Sequence, residues 1–541
     1  MKILKVLPLI LLCTTATLAQ HSPFTEQDTL RGSITPERAW WDLGFYHLDI
    51  KVDPDNKEIS GSNIIRYEVL TEAQVLQVDL QPPMKIDKIT QDGKTLAFES
   101  NGNAHFVTLQ KPQLKGAVNE VKIEYHGKPK EAVRAPWDGG FSWKKDANGN
   151  HFVATSCQGL GASVWWPNKD HMYDEVDSMA ISVEVPKGLM NVSNGRLKKV
   201  EEHTNTTTYH WYVNSPINNY GVNVNIGDYV HFGEKYEGEK GMLDMDYYVL
   251  RYNLEKAKEQ FKQAPMMIKA FEHWFGPYPF YEDSFKLVEV PYLGMEHQSS
   301  VTYGNKYGNG YLGNDLSRTG WGLKFDFIII HEGGHEWFAN NITYKDIADM
   351  WIHEGFTAYS ENLYLDYHFG EKAAAAYVIG TRDNIQNDVP IIGTYGVNSK
   401  GSGDMYYKGA NILHTLRHLV EDDKKWRQIL RGLNKEFYHK TVTTEQVENY
   451  ISKKTKKDLS AFFDQYLRTT KIPVLEYKQE GSQLKYRYTD IIEEFDMPVR
   501  IFINHDEKWL FPTTEWKTES MDKDDYKLKI DQNFYIKTKT L

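Results

Sequence analysis

Apolar and polar residues alternate from about residue 29 to residue 235, and turn signals such as Asp92-Gly93, Asn148-Gly149 and Asn194-Gly195 divide the alternation. A period of two puts every second side chain on one face of a strand, so this stretch predicts an antiparallel β domain. Beyond it the period lengthens. Residues 253–275 read as helix, and helical spacing recurs through 351–369 and 410–420 to the segment 444–467. Alternation returns at Leu475, with 486–491, 499–503 and 526–530 as strands. The pattern predicts a multidomain α+β chain with an N-terminal antiparallel β domain over 20–235, a mostly helical domain over 236–470 and a small sandwich-like β domain over 471–541. No internal repeat or low-complexity tract is present.

The helical middle carries the chemistry. Phe325, Phe327, Ile328, Ile329 and Ile330 lead as an apolar run into His331-Glu332-Gly333-Gly334-His335. Histidines four apart project from one helical face, so both imidazoles reach one zinc ion while Glu332 stands beside the attacking water. A polar, turn-like segment at 344–349 precedes the next helix, which returns Glu354 toward the two histidines. Three protein ligands and one open position describe a catalytic zinc centre, with Glu332 as the expected general base. His353 is the rival third ligand: helical neighbours point about 100° apart, so one of the pair faces the metal and the other packs. Gly333 and Gly334 each cost a helix interior roughly 0.8 to 1 kcal/mol relative to alanine. They imply a close approach to the backbone, either by a substrate or strand over the site or by tight helix packing.

Together with Trp351-Ile352-His353-Glu354-Gly355-Phe356 and the upstream Gly294-Met295-Glu296-His297, this motif resembles the gluzincin aminopeptidases of the aminopeptidase N and leukotriene hydrolase type. The resemblance implies a thermolysin-like catalytic domain, one zinc ion on His331, His335 and Glu354, and peptide substrates with a free N-terminus. It assigns the substrate's α-amine to Glu296 and implies that the backbone of Gly294 and Met295 pairs with the peptide as an edge strand. In Tyr406-Tyr407-Lys408-Gly409 it assigns the oxyanion to Tyr406, with Tyr407 as the alternative. Gln158, in Ser156-Cys157-Gln158-Gly159, is either a second contact to the amine or a turn-stabilising residue. Glu361, two turns beyond Glu354, is expected to orient a zinc ligand from behind.

The chain departs from the family pattern at Leu293, where the first glycine of G-x-M-E-N would stand, and at His297 and His353, where asparagines are expected. Two imidazoles in those places imply an altered pH profile or amine geometry. An endopeptidase of thermolysin type shares the metal chemistry but has no use for Glu296. The epoxide hydrolysis of one family branch uses the same centre. A protein that only binds peptides would need neither Glu332 nor Tyr406.

Lys2 and Lys5, the apolar residues 6–12 and Thr17-Leu18-Ala19 before Gln20 form a secretory signal over 1–19, too short to span a bilayer, so the mature chain is expected to be exported, periplasmic or extracellular, with no transmembrane anchor. Losing Lys2 and Lys5 takes the net charge from -11 to -13, which argues against nucleic acid or an anionic membrane as partner. Only Cys157 then remains, so no intrachain disulfide forms and stability rests on burial. Many relatives end in a large helical domain over the cavity. The sequence stops at Leu541, which implies either an open cleft or one covered by another subunit of an oligomer.

Overall fold

A computed structural model of the chain describes residues 23–522 and 526–541, so the signal segment expected over 1–19 lies outside the described residues. Helix Glu26–Gly32 comes first. Thr25 Oγ1 accepts the Asp28 N–H at 3.3 Å while Asp28 accepts the Thr25 N–H at 2.8 Å, a reciprocal capping box. The strand pattern therefore begins at Trp41, not near residue 29, because this local cap outweighs a weak alternation.

Strand Trp41–Asp53 lies within an eight-stranded sheet, with Leu48, Ile50 and Val52 buried and Asp49 and Lys51 between them. It pairs antiparallel with Glu58–Val69 and parallel with Ser178–Pro186. The N-terminal sheet is thus mixed where alternation alone predicted antiparallel pairing. A parallel partner arrives through a long crossover, and local alternation carries no record of it.

A five-stranded sheet follows, ordered Tyr229–Gly238, Gly241–Leu250, Phe285–Glu289, Val301–Tyr303 and Gly294–Met295. The expected domain boundary at 235 falls inside its first strand. Tyr247 and Leu287 face the helical core, whereas their neighbours Tyr248 and Val288 face the core of the N-terminal domain. The sheet is therefore clamped between two cores, and its last strand, Gly294–Met295, runs along the junction as a free edge.

Residues 253–275 form two helices, Leu254–Gln260 and Gln263–Phe275, not one. Pro265 stands in the first turn of the second helix, where its missing N–H is tolerated, and a continuous helix through it is not. The segment 444–467 divides likewise, with Lys456 at φ 60° between Thr444–Thr455 and Ser460–Leu467. Helix Phe327–Gly334 starts on Asp326, which accepts the N–H groups of Ile328 and Ile329. Helix Trp351–Phe369 is buried from Trp351 to Leu365. The last residues build a four-stranded and a three-stranded sheet, whose apolar faces, including Leu475, Tyr488 and Val499, join the helical core. Among the described residues no helix is long and apolar enough to cross a membrane.

Candidate active site

Helix Phe327–Gly334 ends one residue before His335, which keeps helical backbone angles of φ -63° and ψ -18°. The two imidazoles therefore still lie one turn apart on one face, with ring centroids separated by 5.0 Å. Glu354 Oε2 stands 3.3 Å from His335 Nε2 and 3.7 Å from His331 Nε2. Ligands at about 2.0 to 2.2 Å from a tetrahedral zinc are themselves roughly 3.3 to 3.6 Å apart, so the three side chains fit the ion.

The backs of both rings are tied. His331 Nδ1–H donates to Glu361 Oε1 at 2.7 Å, and Tyr377 Oη–H donates to Glu361 Oε2 at 2.5 Å. His335 Nδ1–H donates to the Phe338 carbonyl at 2.9 Å, with Thr357 Oγ1 3.0 Å from the same nitrogen. Bonding at Nδ1 leaves each Nε2 lone pair for a metal. Glu296, Glu332, Glu354 and Glu361 are all buried around two imidazoles, an excess of carboxylate that a dication balances.

His353 does not compete for the metal. Its ring stacks on Tyr344 with centroids 4.1 Å apart, and its Nε2 accepts the Tyr344 N–H at 2.9 Å. Burial holds it well below the usual histidine range, and burial takes His297, packed against Thr302, down to about 3. Neither replacement is among the residues that line the cavity holding Glu296 and Glu354.

Glu332 projects from the motif helix toward Glu296, and ligand-capable atoms of Glu296, Glu332 and His335 lie within 4.8 Å of one another. Burial, with Glu296 adding and His331 opposing, pushes the Glu332 carboxyl up to about 7. Glu296 is raised as well, burial being the main cause. Its Oε1 accepts from Gln158 Nε2 at 2.7 Å and from Tyr220 Oη–H at 3.1 Å. Gln158 Nε2 also donates to Glu354 Oε1 at 2.9 Å, so one amide joins the Glu296 carboxylate to the metal-ligand set. That geometry brings the Gln158 side chain into the site from the turn that its backbone occupies at 158–160. Sequence reasoning missed Tyr220, and it also missed Asn340, whose Nδ2 holds the Glu296 carbonyl at 2.9 Å. Asn340 and Tyr220 sit in no spacing pattern.

Gly294 is required by contact: a Cβ there would meet Ile328 Cγ2 at 2.5 Å and the Thr302 carbonyl at 2.8 Å. Its strand pairs on one side only, Gly294 with Tyr303 and Met295 with Thr302, and both residues line a cavity of about 540 Å³. The outer edge is open to an added peptide strand. Gly333 and Gly334 resolve to helix packing: added Cβ atoms would meet Met267 Cε at 2.4 Å and Ser360 Oγ at 2.5 Å.

Tyr406 precedes helix Tyr407–Val420 and lies nearly parallel to the His331 ring, with centroids 6.0 Å apart. Burial, then the charges of Glu354 and Glu296, hold its hydroxyl well above the usual tyrosine range. Tyr407 lines the same cavity, and of the two rings it is Tyr406 that stacks beside the ligand His331.

Residues 259–466 match the peptidase family M1 domain, and residues 44–220 match the peptidase M1 N-terminal domain. A probable aminopeptidase 1 from Sulfurisphaera tokodaii is 21% identical over 457 residues, covering 80% of this chain and 54% of that protein. Leukotriene A-4 hydrolase from Xenopus laevis is 23% identical over 446 residues, covering 77% of this chain and 68% of that protein. The chain thus spans about half the length of the archaeal relative, 54% of it. A point mutant of an M1 zinc metallopeptidase from Deinococcus radiodurans superposes with a TM-score of 0.69 at 19% identity, over 82% of this chain and 98% of that one. The same enzyme bound to a Tyr-Ser-Ala substrate gives 0.68 at 18% identity, over the same shares of 82% and 98%.

Proposed function

The chain belongs to peptidase family M1, and from that premise we propose that it is a zinc-dependent aminopeptidase that removes residues one at a time from the free N-termini of peptides. One observation carries the reading. The Glu296 carboxylate lies within 4.8 Å of both Glu332 and His335 and shares Gln158 with Glu354. An α-ammonium nitrogen and the carbonyl carbon of the same residue are about 2.5 Å apart, so an ammonium on Glu296 leaves room for a single residue before the scissile bond. An internal peptide segment would set a neutral amide against that buried carboxylate and leave its charge unpaired.

Zinc on His331, His335 and Glu354, when bound, supplies a Lewis acid that polarises the carbonyl and acidifies water. Glu332, beside the ligand set, is placed to take a proton from the attacking water and return it to the leaving amine. Tyr406, held protonated by burial, donates to the oxyanion. Gly294 and Met295 align the peptide along their open edge. The Tyr-Ser-Ala substrate of the Deinococcus radiodurans enzyme supports short peptides as the substrate class.

Incubating the purified chain with a peptide of defined sequence and following the products by mass spectrometry tests the reading. A ladder of single-residue losses from the N-terminus is expected, stopped by a zinc chelator and restarted by zinc. Internal fragments without that ladder would make the protein an endopeptidase.

We also infer export, which the residues from Lys2 to Ala19 support. Protein recovered from outside the cytoplasm of its host should begin at Gln20. Recovery of a chain that retains Met1, inside the cytoplasm only, would contradict it.

A further inference from the structure

Tyr220 is buried, and its hydroxyl serves the site: Oη–H donates to Glu296 Oε1 at 3.1 Å. Gln158 Nε2 donates to the same oxygen at 2.7 Å. A carboxylate oxygen has two lone pairs, so with both side-chain donors on Oε1 its acceptor places are filled from within the protein. The other oxygen is left for the substrate's α-ammonium. Tyr220 lines a small adjoining cavity together with Gln158 and is not among the residues that line the catalytic cavity, so it meets the carboxylate from behind.

The last torsion of a glutamate is soft, and a single hydrogen bond leaves the carboxylate free to pivot about it. A second donor from a separate element fixes the plane. Tyr220 can do this only if its own backbone is held, and the turn at 218–221 that carries it is bonded to the segment of Glu296 at two further places. Asn218 Oδ1 accepts the Gly221 N–H at 2.6 Å and so closes the turn around Tyr220. Asn218 Nδ2 donates to Asn340 Oδ1 at 3.2 Å, and Asn340 Nδ2 holds the Glu296 carbonyl at 2.9 Å. Asn194 Nδ2 bridges the Gly221 carbonyl at 2.8 Å and the Gln298 carbonyl at 2.7 Å. The turn thus grips the main chain at Glu296 and Gln298 and, through Tyr220, the carboxylate itself. Asn340 N–H also donates to the carbonyl of the ligand His335 at 3.1 Å, which ties the same network to the metal-ligand set.

Resting on the aminopeptidase reading, we propose that Tyr220 is a positioning residue that fixes the plane of the Glu296 carboxylate, so that one acceptor oxygen faces the α-amine at a set distance from the metal-ligand set. Tyr220 packs in the core of the N-terminal domain. That domain therefore helps to set the register of one residue between the start of a peptide and the bond that is cut.

Tyr220→Phe tests this, because it removes the hydroxyl and keeps the ring in its core. Here kcat/KM is measured on a free-amine peptide and on its N-acetylated twin, with rates taken per bound zinc. The free-amine peptide should slow about tenfold, short of the roughly 100-fold of a full ångström's misplacement because Gln158 still holds Oε1. The acetylated twin should change by less than about twofold, so the ratio between the twins falls. In a Glu296→Ala background Tyr220→Phe should cost the free-amine peptide less than about twofold, since no carboxylate is left to position. Each ratio between twins is read on one protein sample, so partial loss of folded enzyme cancels. An undiminished ratio in Tyr220→Phe overturns the assignment, and so does an equal loss with and without Glu296. Failure of the wild type to favour the free amine would instead overturn the aminopeptidase reading.

Discussion

Gly355 and Gly409 meet where helix Trp351–Phe369 crosses helix Tyr407–Val420, so closely that a Cβ on Gly409 would stand 2.8 Å from the Gly355 Cα. Gly355 follows the ligand Glu354, and Gly409 lies three residues beyond Tyr406. The contact therefore sets the height of the tyrosine over the metal-ligand face. Gly409→Ala is expected to force the helices apart at a cost of about 1–3 kcal/mol. Activity should fall at least about tenfold, mainly in kcat, while zinc stoichiometry by metal analysis stays at one. Full kcat in a folded Gly409→Ala protein would detach Tyr406 from the chemistry.

Glu361 acts on the metal through His331, because its carboxylate fixes the Nδ1–H and so the orientation of the ligand nitrogen. Glu361→Gln and Glu361→Ala should weaken zinc binding by about 10- to 100-fold, the alanine more. Competition against a chromogenic chelator measures it, and saturating zinc should restore most of the kcat lost by Glu361→Gln. An unchanged zinc affinity in both variants would leave Glu361 as packing.

Glu175 links pH to stability. Burial pushes its carboxyl up to about 8, and its Oε1 has no hydrogen-bond partner. The folded state therefore holds a proton that the unfolded chain releases near pH 4.5. Its contribution is fully present below that pH and is lost as the pH rises through about 8. Glu175→Gln should raise stability at pH 9 by about 1–3 kcal/mol and change little at pH 5, as read by denaturant unfolding. An equal gain at both pH values would remove the titration from the explanation.

Much of the site could be read from spacing because a helix fixes geometry within one turn. His331, Glu332 and His335 needed only the period of one helix, and Glu354 only the short return to a second. Residues brought in from other elements left no such trace. Tyr220 and Gln158 reach Glu296 across 76 and 138 residues of chain, distances over which no local pattern operates. The parallel pairing of Phe45 with Ser178 was hidden for the same reason. The helix break ahead of Pro265 and the Thr25 to Asp28 capping box were local signals and could have been found. In Gly333-Gly334 the sequence signalled close approach, and only coordinates could name Met267 and Ser360 as what approaches.

The central claim, that Glu296 recognises the start of a peptide beside the metal, is tested most directly with paired substrates. Here kcat/KM is measured on one peptide and on its N-acetylated twin, for the wild type and for Glu296→Gln. The wild type should favour the free amine by at least about 100-fold, which corresponds to about 2.7 kcal/mol, and Glu296→Gln should lose most of that ratio by slowing the free-amine peptide alone. Equal cleavage of the twins by the wild type, or an undiminished preference in Glu296→Gln, would contradict the account.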